Sequence, residues 1–206
     1  MSTREDLRRF YALEINHSSL GLSPWKDPHQ RYFCTPEGAE IFSGPGVDGI
    51  HYVLLPEDER VFCVDPMAEE STYVLPVAED FQEFLSFLLF CRDESPLAQL
   101  WRLNESEFRR LLEENAQNRW PGCEETLAAQ SAALTAIAET FGSNPRDPFF
   151  KIKELHRAFD PADLVFSDEY YDVLGLENPR NTTSPKPETH YVLSASIRMK
   201  TGEERP

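Results

Sequence analysis

Cys34 and His51 are the side chains best suited to covalent chemistry, because a thiol becomes a nucleophile when a neighbouring imidazole takes its proton. No signature surrounds either residue. His51 falls on the Val53 and Leu55 side of an alternating apolar run, where a hydrogen-bonded structural histidine is the plainer expectation. His17, His29, His156 and His190 are scattered, without a pair at metal-ligand spacing. Gly44-Pro45-Gly46-Val47-Asp48-Gly49 matches G-x-G-x-x-G letter for letter. A dinucleotide loop runs from a strand into a helix, so that helix amides meet the pyrophosphate. Here the next residues, Ile50 to Leu55, read as a strand, which predicts a glycine-rich hairpin loop. A kinase glycine loop does lie between strands, but the strand lysine, catalytic-loop aspartate and D-F-G that must accompany it are missing.

The remaining candidates are carboxylates: Glu57, Asp58 and Glu59, with Asp65, Glu69 and Glu70 across the expected hairpin. Calcium loops need ligands at fixed alternate positions around a glycine turn, and that spacing is absent. Acid–base pairs need two environments that pull their pKa values apart, which spacing alone does not display. These six residues read as solvated turns or as a partner-binding surface, with no metal and no cofactor expected. Cys34, Cys63, Cys91 and Cys123 stand about thirty residues apart without a C-x-x-C pair, so they read as small buried hydrophobes. Trp101 and Trp120 read as core or hinge anchors.

Charge narrows the partners further. The chain has 206 residues and a formal net charge of −16. Between Phe33 and Cys91 there are twelve carboxylates and one basic side chain, Arg60, so that stretch alone carries −11. Binding to nucleic acid or to an anionic membrane depends on neutralising phosphates with Lys and Arg, and this composition argues against both. A basic protein is the electrostatically easier partner. Met1 to Phe10 lacks an apolar signal region, and no run approaches the roughly 18 apolar residues of a membrane helix, so a cytoplasmic location is expected.

The elements that must position these residues follow from periodicity and punctuation. Arg4 to Ile15 fits one short amphipathic helix. Ala39 to Phe42, Ile50 to Leu55, Val61 to Val64 and Thr72 to Leu75 read as strands of an antiparallel meander, with Pro56-Glu57-Asp58-Glu59 as a turn. Asp80 with Glu83, Ser95-Pro96, and Asn104 with Glu107 are helix starts. Glu124 to Phe141 is an alanine-rich helix ended by Gly142, and Phe149 to Phe159 is one more. A late strand is expected at Tyr191 to Met199, after a mobile connection from Glu177 to Thr189. The fold class is α+β: an antiparallel β-meander packed by helices, with a C-terminal helical extension. Residues 1–116 form the α+β domain in this reading, and residues 117–206 form the extension packed on the same core.

The runs Phe33-Cys34-Thr35-Pro36-Glu37-Gly38-Ala39, Gly49-Ile50-His51-Tyr52, Val61-Phe62-Cys63-Val64-Asp65-Pro66 and Pro76-Val77-Ala78-Glu79-Asp80-Phe81-Gln82-Glu83-Phe84-Leu85 resemble the SUKH superfamily. The resemblance covers roughly residues 33–91, the strand-strand-strand-helix half of those domains. It implies an α+β domain. Its bacterial members are commonly immunity proteins that neutralise polymorphic toxins, many of them nucleases, while fungal relatives act in cell-wall regulation. The family shares no catalytic residues, so none is carried over. The resulting expectation is a bacterial, non-enzymatic protein-binding module, an immunity protein that meets a basic nuclease-type toxin through an acidic surface. The alternatives are a housekeeping scaffold or regulator, and a small hydrolase using Cys34, His51 or a carboxylate pair. The oligomeric state is left open.

Overall fold

Two four-residue runs, His51-Tyr52-Val53-Leu54 and Val61-Phe62-Cys63-Val64, dictate the architecture, because every residue in both is buried. A strand buried on alternate residues needs one covering layer, whereas one buried throughout needs two. In the computed structural model, which describes residues 2–27, 30–69 and 72–181, these runs are β3 and β4 of a five-stranded antiparallel sheet. The others are β1 (Ser23–Pro24), β2 (Glu40–Gly44) and β5 (Val74–Ala78), and the spatial order is the chain order. The protein is α+β, as the strand and helix patterns predict.

Phe42, Tyr52, Leu54, Val61, Cys63 and Val77 point to one face of the sheet. There they meet α1 (Thr3–Tyr11) and α2 (Phe81–Cys91). Phe84 of α2 touches the rings of Tyr52 and Phe81, at 5.3 and 5.8 Å between centroids. Leu134 and Ile137 of α5 (Cys123–Phe141) and Phe149 and Ile152 of α6 (Phe149–Ala158) join the same cluster. The second face carries Val53, Phe62, Val64 and Val74. It is covered by Cys34 and Ala39 and by Phe166 and Tyr170, whose rings stack at 4.0 Å. Tyr170 lies on α7 (Asp168–Leu174), and this C-terminal layer is tied down by ion pairing of Arg180 with Glu37 at 2.9 Å and by a hydrogen bond from Arg180 to the Phe166 carbonyl.

Helix starts follow their capping chemistry. Asp80 Oδ1 accepts the Glu83 amide at 2.7 Å. The Glu83 carboxylate reaches back to the Glu79 amide rather than to the Asp80 amide of a strict capping box. Asn104 and Glu107 form the full reciprocal box at the start of α4 (Glu105–Gln117). Short α3 (Ser95–Gln99) begins at Ser95-Pro96, and Gly142 closes α5 in the left-handed region at φ 63°.

Four elements depart from the pattern reading. Helix α1 ends at Tyr11, not Ile15, because polar side chains of the next segment bond to its end: His17 Nε2 donates to the Phe10 carbonyl, and a 3-10 turn at His17–Leu20 buries Leu20. Strand β5 runs through Pro76 instead of stopping at Leu75, since it is an edge strand and a missing amide there breaks no ladder bond. It starts late, because the Thr72 amide and hydroxyl both turn back to the Glu69 carbonyl. Strand β1 and helix α7 lie where no regular element is expected. The late strand Tyr191 to Met199 and most of the connection before it lie outside the described residues. Among the described residues, no helix is long and apolar enough to cross a membrane.

The weight of the α2–sheet contact predicts that Phe84→Ala lowers the unfolding free energy by about 3–5 kcal/mol, read from the urea midpoint. Phe150→Ala, at a position 64% exposed, should change it by less than about 0.5 kcal/mol.

Candidate functional site

Cys34 and His51 sit inside the second layer rather than in a cleft, and each has zero exposed surface. The two nitrogens of His51 are both engaged, Nδ1 with the Gly49 carbonyl at 2.7 Å and Nε2 with the Thr35 hydroxyl at 3.0 Å. A carbonyl can only accept, so Nδ1 carries the proton and Nε2 accepts from Thr35. Burial lowers the imidazole pKa to about 4 and raises the Cys34 thiol to about 12. Burial therefore favours the protonated thiol, and the lone pair of the imidazole is already bonded to Thr35. These two residues hold the layer together and do not form a nucleophile–base pair.

The acidic candidates that are described stand at two places. Consecutive connections of a meander lie at opposite ends of the sheet. Glu57, Asp58 and Glu59 precede β4, and Asp65 and Glu69 follow it, roughly 13 Å away along four residues. The expected partner-binding residues are therefore divided between the two ends of β4. At the hairpin end the acids are largely committed to structure. Asp58 holds Arg60 through two guanidinium nitrogens, at 2.7 and 3.1 Å, and accepts the Arg60 amide. Burial alone would raise the Asp58 carboxyl, but the Arg60 bonds together pull it below the ordinary carboxylate range. Glu59 accepts the Thr3 amide at the first turn of α1, and its carbonyl accepts the Thr3 hydroxyl. Glu57 is exposed there. At the other end Asp65 Oδ1 accepts the Met67 amide at 2.9 Å, fixing the turn, and Glu69 is exposed. Glu70 lies outside the described residues.

That second end of the sheet carries a cleft of about 460 Å³. Its walls are the glycine-rich loop from Pro45 to Ile50, the connection at Asp65 and Met67, and the α3 region from Glu94 to Arg102. The glycine loop is a hairpin loop between β2 and β3, as the strand after it predicts. Gly49, at φ 72°, fixes its position. A Cβ there would come within 2.6 Å of the Tyr32 ring and 3.1 Å of Pro66, so only glycine lets the two connections abut. Val47 is left 59% exposed and Met67 77% exposed on the two connections. Trp101 is half-buried in the third wall, while Trp120, expected as a core or hinge anchor, is 46% exposed beside a different groove and so is not a core residue. That groove, about 670 Å³ between α4 and α5, is larger, but Arg92, Arg119 and Asp93 give it mixed charge.

Glu94 is the residue that sequence reading missed. It is 5% exposed and accepts the Tyr52 hydroxyl at 2.9 Å, under the wall of the cleft. Burial raises its carboxyl to about 8, Asp93 adds to the rise, and the Tyr52 bond opposes it. No pattern of neighbours marks it, because its burial comes from Tyr52, forty-two positions away. Among the described residues, no group of three or more His, Cys, Asp or Glu side chains is placed to hold a metal ion. No family model, curated protein or solved structure matches this chain.

Glu94 makes a pH-dependent contribution whose sign is fixed. Its folded pKa lies above the ordinary 4.5, so the folded chain binds the extra proton, and stability is complete below 4.5 and lost as the pH rises towards 8. His51 and His156, lowered to about 4, act in the opposite sense, but only below 6.5. Between pH 6.5 and 8, urea unfolding should therefore show stability falling by up to about 1.4 kcal/mol per pH unit. Glu94→Gln should flatten that decline; an unchanged slope in the variant would show that another group is responsible.

Proposed function

We propose that this chain is a protein-binding module without a reaction of its own, an immunity protein that neutralises a basic, nuclease-type toxin in the cytoplasm of a bacterium. The observation that carries the reading is the division of labour between core and connections. The side chains suited to nucleophilic chemistry, Cys34 and His51, are consumed in packing and hydrogen bonding. The carboxylates in excess stand on strand connections at the surface, among them Asp48, Glu57 and Glu69. A surface charge of this sign favours encounter with a basic protein and disfavours phosphate-rich partners. The meander followed by a buried helix is also the arrangement that the SUKH resemblance implies.

An immunity protein protects against a specific toxin, and such pairs are encoded side by side. Expression of the adjacent gene alone should arrest growth, and co-expression of this chain should restore it, with the two proteins co-purifying in a complex that weakens as salt rises. Neighbouring genes without toxicity, or toxicity that this chain does not relieve, would favour a housekeeping regulator instead.

A further inference from the structure

We propose that the cleft at the glycine-loop end of the sheet is the docking site for a cationic segment of the partner protein. In it, an apolar side chain lodges between Val47 and Met67, with a lysine or arginine beside it facing Asp48 and Asp65. This rests on the reading of the chain as a binder of a basic protein and assigns the surface through which it acts.

Three independent features converge on the cleft. The first is exposed apolar surface. Val47 and Met67 are large side chains left in water on connections that the Gly49–Pro66 contact holds side by side. Two such residues flanking one depression, with the half-buried Trp101 opposite, form an apolar floor of the kind that polar rims surround at protein interfaces. The second is backbone strain. Asp48 is not glycine, yet it holds φ 54°, between Gly46 at φ 81° and Gly49 at φ 72°. A left-handed aspartate costs stability, as does Glu57 at φ 56° in the hairpin turn, and Asp48 follows the exposed Val47 directly. The third is charge. Asp48 and Asp65 line the cleft, the chain carries −16, and among the described residues the cation in the lining is Arg102, which donates to Gln99 at 2.6 Å.

The hairpin end of the sheet lacks this combination. Its carboxylates Asp58 and Glu59 are held by Arg60 and Thr3. A cationic segment would meet only screened surface attraction from charges already committed in this way, which is worth little.

The test uses the isotopically labelled full chain and a synthetic peptide of alternating lysine and leucine. Amide shifts on titration should cluster at Val47, Asp48, Met67 and Arg102 and include the Trp101 indole. The dissociation constant should rise at least about fivefold between 20 and 200 mM salt. Val47→Ser combined with Met67→Ser should weaken binding at least about tenfold while the rest of the spectrum, and so the fold, is retained. The proposal is overturned by shifts centred on Glu57 or on the groove beside Trp120. It is equally overturned by absence of binding, by wild-type affinity in the double variant, or by equal binding of a peptide with glutamate in place of lysine. Because this readout needs no toxin, it fails separately from the growth experiment: rescue of growth without peptide binding moves the docking surface and leaves the function standing. Peptide binding without rescue leaves the docking site with a different basic partner.

Discussion

The removal of β3 and β4 from water on both faces is the constraint from which the rest of the molecule follows. Eight strand positions in two runs of four are all buried, so His51 is accommodated only with both ring nitrogens bonded. Two covering layers are then obligatory. One is built from the N-terminal and central helices, and the other from Tyr32 to Ala39 and the segment around Phe166 and Tyr170. The edge strand β5 is covered by α6, and Pro76 removes one of its donors; both devices keep an exposed edge from pairing with another chain.

With both faces of β3 and β4 covered, the carboxylates that flank these strands stand at the ends of the sheet, and the two ends differ. At the β3–β4 hairpin, Glu59 supplies an acceptor to the first turn of α1 while Asp58 positions Arg60 over the rings of Phe62 and Phe159. Those acids connect layers. At the opposite end, Gly49 joins two connections edge to edge, and Asp48 and Asp65 line a cleft with exposed Val47 and Met67. The buried Glu94–Tyr52 bond ties α3 to β3 under the wall of that cleft. One end of the meander thus ties layers of the fold together, and the other is the end that we propose meets a partner.

What was legible in the sequence was whatever rests on local chemistry. The apolar runs of β3 and β4 around Pro56-Glu57-Asp58-Glu59, the caps at Asp80 and Asn104, and the stop at Gly142 are written in neighbouring residues, and the structure has them there. Helix α7 was not legible, because seven residues give too few turns for a 3.6-residue period and its stability comes from Phe166 and the distant sheet. The carboxylates looked like one surface because they are close in sequence. A hairpin turn and the next connection are nonetheless separated by the full length of the strand between them. The cleft was hidden for the complementary reason. Its walls come from residues 45–50, 65–67 and 94–102, which only tertiary packing brings together, and a single valine or methionine in a loop carries no signal by itself.

The central claim is that the two ends of the sheet are unequal, with only the glycine-loop end steering a basic partner. The association rate with the adjacent gene's product tests it most directly, measured for Asp48→Lys combined with Glu69→Lys and, separately, for Glu57→Lys. Reversal at the glycine-loop end should slow association by about tenfold or more at low ionic strength and converge with the wild type at high salt, while reversal at Glu57 leaves the rate within about twofold. Equal slowing at both ends, or greater slowing at Glu57, would contradict the claim.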